Sequence, residues 1–176
     1  LLPGQKPDEW NLLRPDVLRE VHRAYYEAGA DIVYTNTFGS NAIKWGNGPC
    51  SIAKNAAAAV ENAKEAAALA QVGGRPLYVA LDVGPTGKLL KPLGDLDFED
   101  CVAAYAELIR SGEQAGADLI AIETMSDLYE PKAAVLAAKE NSSLPVFATV
   151  AFDGKGKLLT GGDAKAVVAL LEGLGV

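Results

Sequence analysis

Residues 115–127 read AGADLIAIETMSD, and this stretch decides the architecture. A small, glycine-centred stop leads into the contiguous apolar run Leu119-Ile120-Ala121-Ile122, which ends in Glu123 and Thr124. The run does not alternate with polar residues, so it reads as a strand covered on both faces, the habit of parallel sheets. The same stop, AGAD, stands at residues 28–31 in front of a second apolar, β-branched run at 32–37. Two copies of one stop before two strands imply a repeated unit.

Two more strands are expected at residues 77–83 and 146–152, with helical patterns between the runs. From Pro15, Val17, Leu18, Val21, Ala24, Tyr25 and Ala28 recur at helical spacing, with proline tolerated in the first turn and Gly29 as the stop. An alanine-rich helix is expected over 51–71. Another follows Asp97, a fourth opens at Pro131 and runs to Lys139, and a fifth is capped by Asp163 and ends near Gly173. Helix and strand in strict alternation predict right-handed βαβ units on a parallel sheet. Residues 172–176, EGLGV, repeat the helix stop once more.

Composition removes several function classes. At 176 residues, with 49% hydrophobic and 22% charged residues, the chain has the balance of a globular protein with a core. The 16 Lys and Arg against 23 Asp and Glu leave a net charge of −7, which repels phosphate backbones, so nucleic acid is not an expected partner. No apolar run reaches the roughly 20 residues of a membrane span. Two cysteines are too few for a stapled secreted fold, and a cytoplasmic setting is expected.

In parallel α/β architectures the loops after the strands converge on one crevice. Here they carry Asn36-Thr37-Phe38, Asp82 with Gly84-Pro85-Thr86-Gly87, Glu123-Thr124, and Phe152-Asp153. A dinucleotide fold would show G-x-G-x-x-G after its first strand, and none is present. Residues 84–88, GPTGK, fail as a phosphate loop because the glycine spacing is wrong and Leu89 stands where Ser or Thr would hold magnesium. Glu123 is the most informative residue: a carboxylate directly after a buried run needs a donor or a cation. A substrate ammonium, a loop hydrogen bond or a lysine would each serve. Asn36 fits either a zwitterionic ligand or a turn, and Asp82 reads as a loop cap outside the site. His22, the single histidine, reads as a solvated helix side chain. Neither Cys50 nor Cys101 has a Cys or His at ligand spacing, so no metal site is expected within the chain.

Taken together, AYYEAGADIVYTNTFGSN (24–41), GPTGKLL, AGADLIAIETMSDLYEPKAAVLAAKE and PVFATVAFDGKGKLLTGGD resemble the homocysteine S-methyltransferase family. That family includes the homocysteine-binding domain of cobalamin-dependent methionine synthases. The resemblance covers residues 10 to 176 and implies a (β/α)8 TIM barrel, of which the four strands here correspond to strands two to five with their helices. It implies a single partial homocysteine-binding barrel domain over residues 1–176. It further implies that zinc holds the homocysteine sulfur as thiolate and that Glu123 holds the amino group; Asn36 and Thr124 are expected beside Glu123 as substrate-binding residues. The family's zinc cysteines, which follow its sixth and last strands, have no counterparts here.

The resemblance also implies a methyl donor or corrinoid domain as partner, with cobalamin and methyltetrahydrofolate acting through other domains. The chain is accordingly expected to be a fragment or degenerate copy of a barrel, completed by further residues, a homo-oligomer or strand exchange. The alternative is a non-catalytic half-barrel that binds an amino acid or a partner. An aldolase-type barrel would need a Schiff-base lysine of depressed pKa, and Lys88 and Lys91 have nothing nearby to lower theirs.

Overall fold

The computed structural model describes residues 4–176. After a 3-10 turn at Pro7–Glu9, the elements run α1 Trp10–Leu13, α2 Pro15–Glu27, β1 Ile32–Tyr34, α3 Ala42–Trp45, α4 Ile52–Leu69 and β2 Tyr78–Val83. They continue with α5 Phe98–Gln114, β3 Leu119–Met125, α6 Tyr129–Asn141, β4 Val146–Val150 and α7 Ala164–Gly173. The strands form one sheet in the order β1-β2-β3-β4, all parallel.

Local chemistry sets these boundaries. Pro15 opens α2, the Ser51 hydroxyl accepts from Lys54 N–H at the head of α4, and Asp163 accepts from Ala166 N–H at the head of α7. Gly29 and Gly116, the centres of the two AGAD stops, take φ of 113° and 94°, a region where a Cβ is strongly disfavoured. Helix α6 begins at Tyr129 rather than Pro131, because the Asp127 carboxylate accepts from Glu130 N–H and caps the turn earlier.

Alternate residues of the strands divide between two faces. Val79, Leu81 and Val83 of β2 and Ile120 and Ile122 of β3 join buried residues of α4, α5 and α6 in the main core. The alanine-rich face of α4 (Ala56, Ala59, Ala63, Ala66) is fully buried, so α4 lies close to the sheet. On the opposite face Ala80, Leu119 and Ala121 cluster with Ile32 and no helical residue. Helices α4, α5 and α6 therefore cover one face of a consecutive parallel sheet, the arrangement of a barrel wall. A doubly wound fold would cover both.

Coverage of both faces does not hold across the whole sheet. At the outer strands, Tyr34 is 38% and Phe147 48% exposed, and β4 alternates half-buried with exposed residues. The sheet order ends at β1 and β4 among the described residues, so inward side chains there have neighbours on one side only. Strand β1 is also shorter than the expected 32–37. Beyond Thr35, whose N–H bonds Ala80 O, threonine hydroxyls replace the backbone ladder: Asp82 N–H donates to Thr35 Oγ1 and the Thr37 hydroxyl donates to Asp82 O.

Candidate functional site

A half-open cavity of about 430 Å³ runs along the edge strand β1 and the loop after it, from Ile32 to Asn36, between the face of α2 and the single residues Asp82 of β2 and Glu123 of β3. Its polar wall is Tyr34, Asn36, Asp82 and Glu123, with His22 contributed by α2. Two of the expected substrate-binding residues, Asn36 and Glu123, thus meet at one cavity. The third, Thr124, does not line it: its side chain is exposed and its N–H donates to Thr149 Oγ1 at 3.1 Å.

Glu123 is aimed by a backbone irregularity. The β3–β4 register shifts between Ile122 and Met125, and Thr124, inside that shift, has φ 59°. A β-branched residue in the left-handed region is strained by about 1–2 kcal/mol. The extra residue returns Met125 to full burial in the helix-side core and leaves Glu123 facing the cavity. Burial raises the Glu123 pKa above the ordinary carboxylate value. No Lys or Arg lines the cavity, so the lysine pairing weighed from the sequence is not found among its walls.

Asn36 is held on a braced loop. Its Nδ2 donates to Pro7 O, and its own carbonyl accepts from Asn11 Nδ2 at 2.8 Å. Beneath it, buried Asp8 accepts from Gly39 N–H and the Ser40 hydroxyl, and Asn55 Nδ2 donates to Ser40 Oγ. The neighbouring loop touches this one at Gly84, where a Cβ would stand 2.4 Å from Phe38 O, so only glycine fits. Glu130, 3% exposed, accepts from Thr86 N–H, the Thr86 hydroxyl and the Tyr105 hydroxyl and ties the GPTG loop to α5 and α6. Sequence reading missed both buried carboxylates, Asp8 and Glu130, because nothing in their local context marks them.

Two expectations are corrected. His22 is 7% exposed, not solvated: α2 turns it inward, burial lowers its pKa, and Nε2 has no hydrogen-bond partner among the described residues. Asp82 does not cap its loop. It is 6% exposed and its Oδ1 is unpartnered among the described residues. Burial, the Glu123 charge and the Asp8 charge together push its pKa up to about 8. The one missed signal was its period: with Ala80 it occupies the alternate positions of β2 that face away from the core packed by α4, α5 and α6.

The residues present do not fit zinc. No group of three His, Cys, Asp or Glu side chains converges among the described residues. Cys101 lies in the helix-side core, where burial chiefly, aided by the Glu130 and Asp127 charges, raises its thiol to about 12, the opposite of what a metal thiolate needs.

A helix-clad parallel sheet with its polar groups gathered beyond the strand ends defines a barrel-type α/β protein, and the carboxyl-rich cavity marks the face where such proteins bind small molecules. The homocysteine S-methyltransferase family profile matches residues 5–176, and the chain belongs to that family. It is 36% identical over 173 residues to the methionine synthase of Mycobacterium tuberculosis and 35% identical to that of Mycobacterium leprae, in each case covering 94% of this chain. It spans 14% of the length of each of those relatives. Among solved structures, the oxidized homocysteine methyltransferase of Escherichia coli superposes with a TM-score of 0.84 at 25% identity, covering 95% of this chain and 61% of that one. Its metallated form gives 0.81 at 25% identity, covering 94% and 62%. The four parallel strands with their helices match the fold of those homocysteine methyltransferases and are consistent with part of a (β/α)8 barrel.

Proposed function

We propose that this chain supplies the amino-acid-binding wall of a homocysteine S-methyltransferase, holding homocysteine through its ammonium group for methyl transfer that yields methionine. The observation that carries this reading is Glu123: a half-buried carboxylate at the end of β3, facing a cavity whose walls contain no Lys or Arg. A carboxylate so placed favours a cationic ligand, because attraction is strong where water is scarce. Asn36 offers a neutral acceptor and donor at the same wall, and Thr124 contributes the backbone turn that aims Glu123.

Zinc in this family would hold the substrate sulfur as thiolate. The described residues offer no set for it, so no step is assigned to the metal here. The methyl donor, and with it cobalamin or a folate, would be presented by parts outside these residues. No helix among the described residues is long and apolar enough to cross a membrane. A cytoplasmic setting is part of this proposal and fits two cysteines that are both free.

The test is calorimetric titration of the chain with L-homocysteine and with 4-mercaptobutanoate, which lacks the amino group. Homocysteine should bind at least tenfold more tightly, and Glu123→Gln should sharply reduce the difference, as loss of a charge-assisted contact would. Equal affinity for the two compounds would refute the reading.

A further inference from the structure

The cavity beside Glu123 holds a second carboxyl that the family reading does not use. Asp82 is in register with Ala121, and Glu123 stands two residues further along the same face of β3. Both side chains therefore enter the cavity from adjacent strands. The Asp82 peptide is pinned on both sides, its N–H to Thr35 Oγ1 at 3.0 Å and its carbonyl to the Thr37 hydroxyl at 2.7 Å. The residue is 6% exposed, with Oδ1 unpartnered among the described residues.

The groups that share the cavity with Asp82 are Glu123 on β3, Tyr34 on β1 and His22 on α2, and the Asp8 charge acts on it from the 3-10 turn. Two of these are carboxylates. Tyr34 is a phenol whose pKa is raised by burial and by Glu123 and Asp82, and His22 is a histidine whose pKa burial lowers. Two carboxyls sharing a partly desolvated space need either a proton or a cationic guest between them.

We propose that Asp82 is a second ligand for the substrate ammonium, so that Glu123 and Asp82 grip it from two strands and select amino acids over deaminated analogues. This rests on the reading that Glu123 binds the amino group. Against the chain's own groups Asp82 keeps its proton to about pH 8. Entry of the ammonium displaces that proton to solvent, leaving carboxylate against ammonium: one proton is released for each ligand bound, and no covalent bond to carbon or sulfur changes.

The experiment is calorimetry of the full chain with L-homocysteine at pH 7 in two buffers of different ionisation enthalpy, repeated from pH 6 to pH 9. Wild type should release about one proton at pH 7 and little at pH 9, with affinity rising across that range. Asp82→Asn should bind about tenfold more weakly at pH 8, release no proton and lose the pH slope. A wild-type titration without proton release overturns the proposal and needs no variant, so misfolding of Asp82→Asn cannot shelter it. If Glu123→Gln loses homocysteine while Asp82→Asn binds as wild type does, Asp82 is excluded and the Glu123 reading survives. If wild type does not distinguish homocysteine from 4-mercaptobutanoate, both fail.

Discussion

Asp82 on β2 and Glu123 on β3 face one cavity from neighbouring parallel strands, and each raises the cost of ionising the groups around the other. The folded chain holds the Asp82 proton to about pH 8, whereas the ordinary aspartate value is 3.8. A raised folded pKa gives stability that is fully present below 3.8 and is lost as pH rises through about 8. Asp82→Asn cannot ionise, so its stability should gain on that of wild type by on the order of 2 kcal/mol or more between pH 5 and pH 8.5. Urea midpoints at the two pH values measure this, and a gap that stays constant would contradict it.

Glu130 makes the opposite case, a buried carboxylate whose partners are all present. Its Oε1 takes three donors, Thr86 N–H at 2.6 Å, the Thr86 hydroxyl at 2.5 Å and the Tyr105 hydroxyl at 3.0 Å. Glu130→Ala strands those donors in a dry site and should cost about 3–4 kcal/mol, while Glu130→Gln retains an acceptor and should cost less than half of that. Chemical denaturation ranks the variants. Amide exchange at Thr86 should accelerate in Glu130→Ala ahead of global unfolding.

The β3 stretch shows what a sequence can and cannot disclose. Its apolar run, glycine stop and terminal Glu123 were legible because period and punctuation are local properties, and the same holds for the helix caps at Ser51 and Asp163. Asp82 and His22 were misread because their fates are set across the fold. Asp82 faces inward only once β2 lies between β1 and β3, and His22 is buried only because α2 packs beside β1. A shift of register at Thr124 leaves no mark in composition either.

Thr124 carries a prediction of its own. With φ 59° and an exposed side chain, it gives up little packing on truncation and holds a conformation that glycine adopts freely. Glycine within a strand ordinarily destabilises, but here relief of a β-branched left-handed residue should exceed the added chain entropy. Thr124→Gly should therefore be more stable than wild type by about 0.5–1 kcal/mol, seen as a higher melting temperature. A loss of that size would mean that the Thr124 side chain contributes contacts beyond its backbone turn.

Gly112 lies in the buried face of α5, where alanine is the better helix former by about 1 kcal/mol. Propensity alone would make Gly112→Ala stabilising. A Cβ there, however, would come within 2.4 Å and 2.6 Å of the two Leu81 methyl carbons and within 2.9 Å of Leu81 Cγ. Leu81 is fully buried between α5 and the sheet, so it cannot swing aside without displacing other core side chains. Overpacking of this kind costs about 1–3 kcal/mol and should outweigh the propensity gain, leaving Gly112→Ala less stable by about 1 kcal/mol. Pairing it with Leu81→Ala provides the space the new methyl needs. The double variant should then be less destabilised than the sum of the two single changes, and strict additivity in a double-mutant cycle would show that α5 and β2 do not meet through this contact.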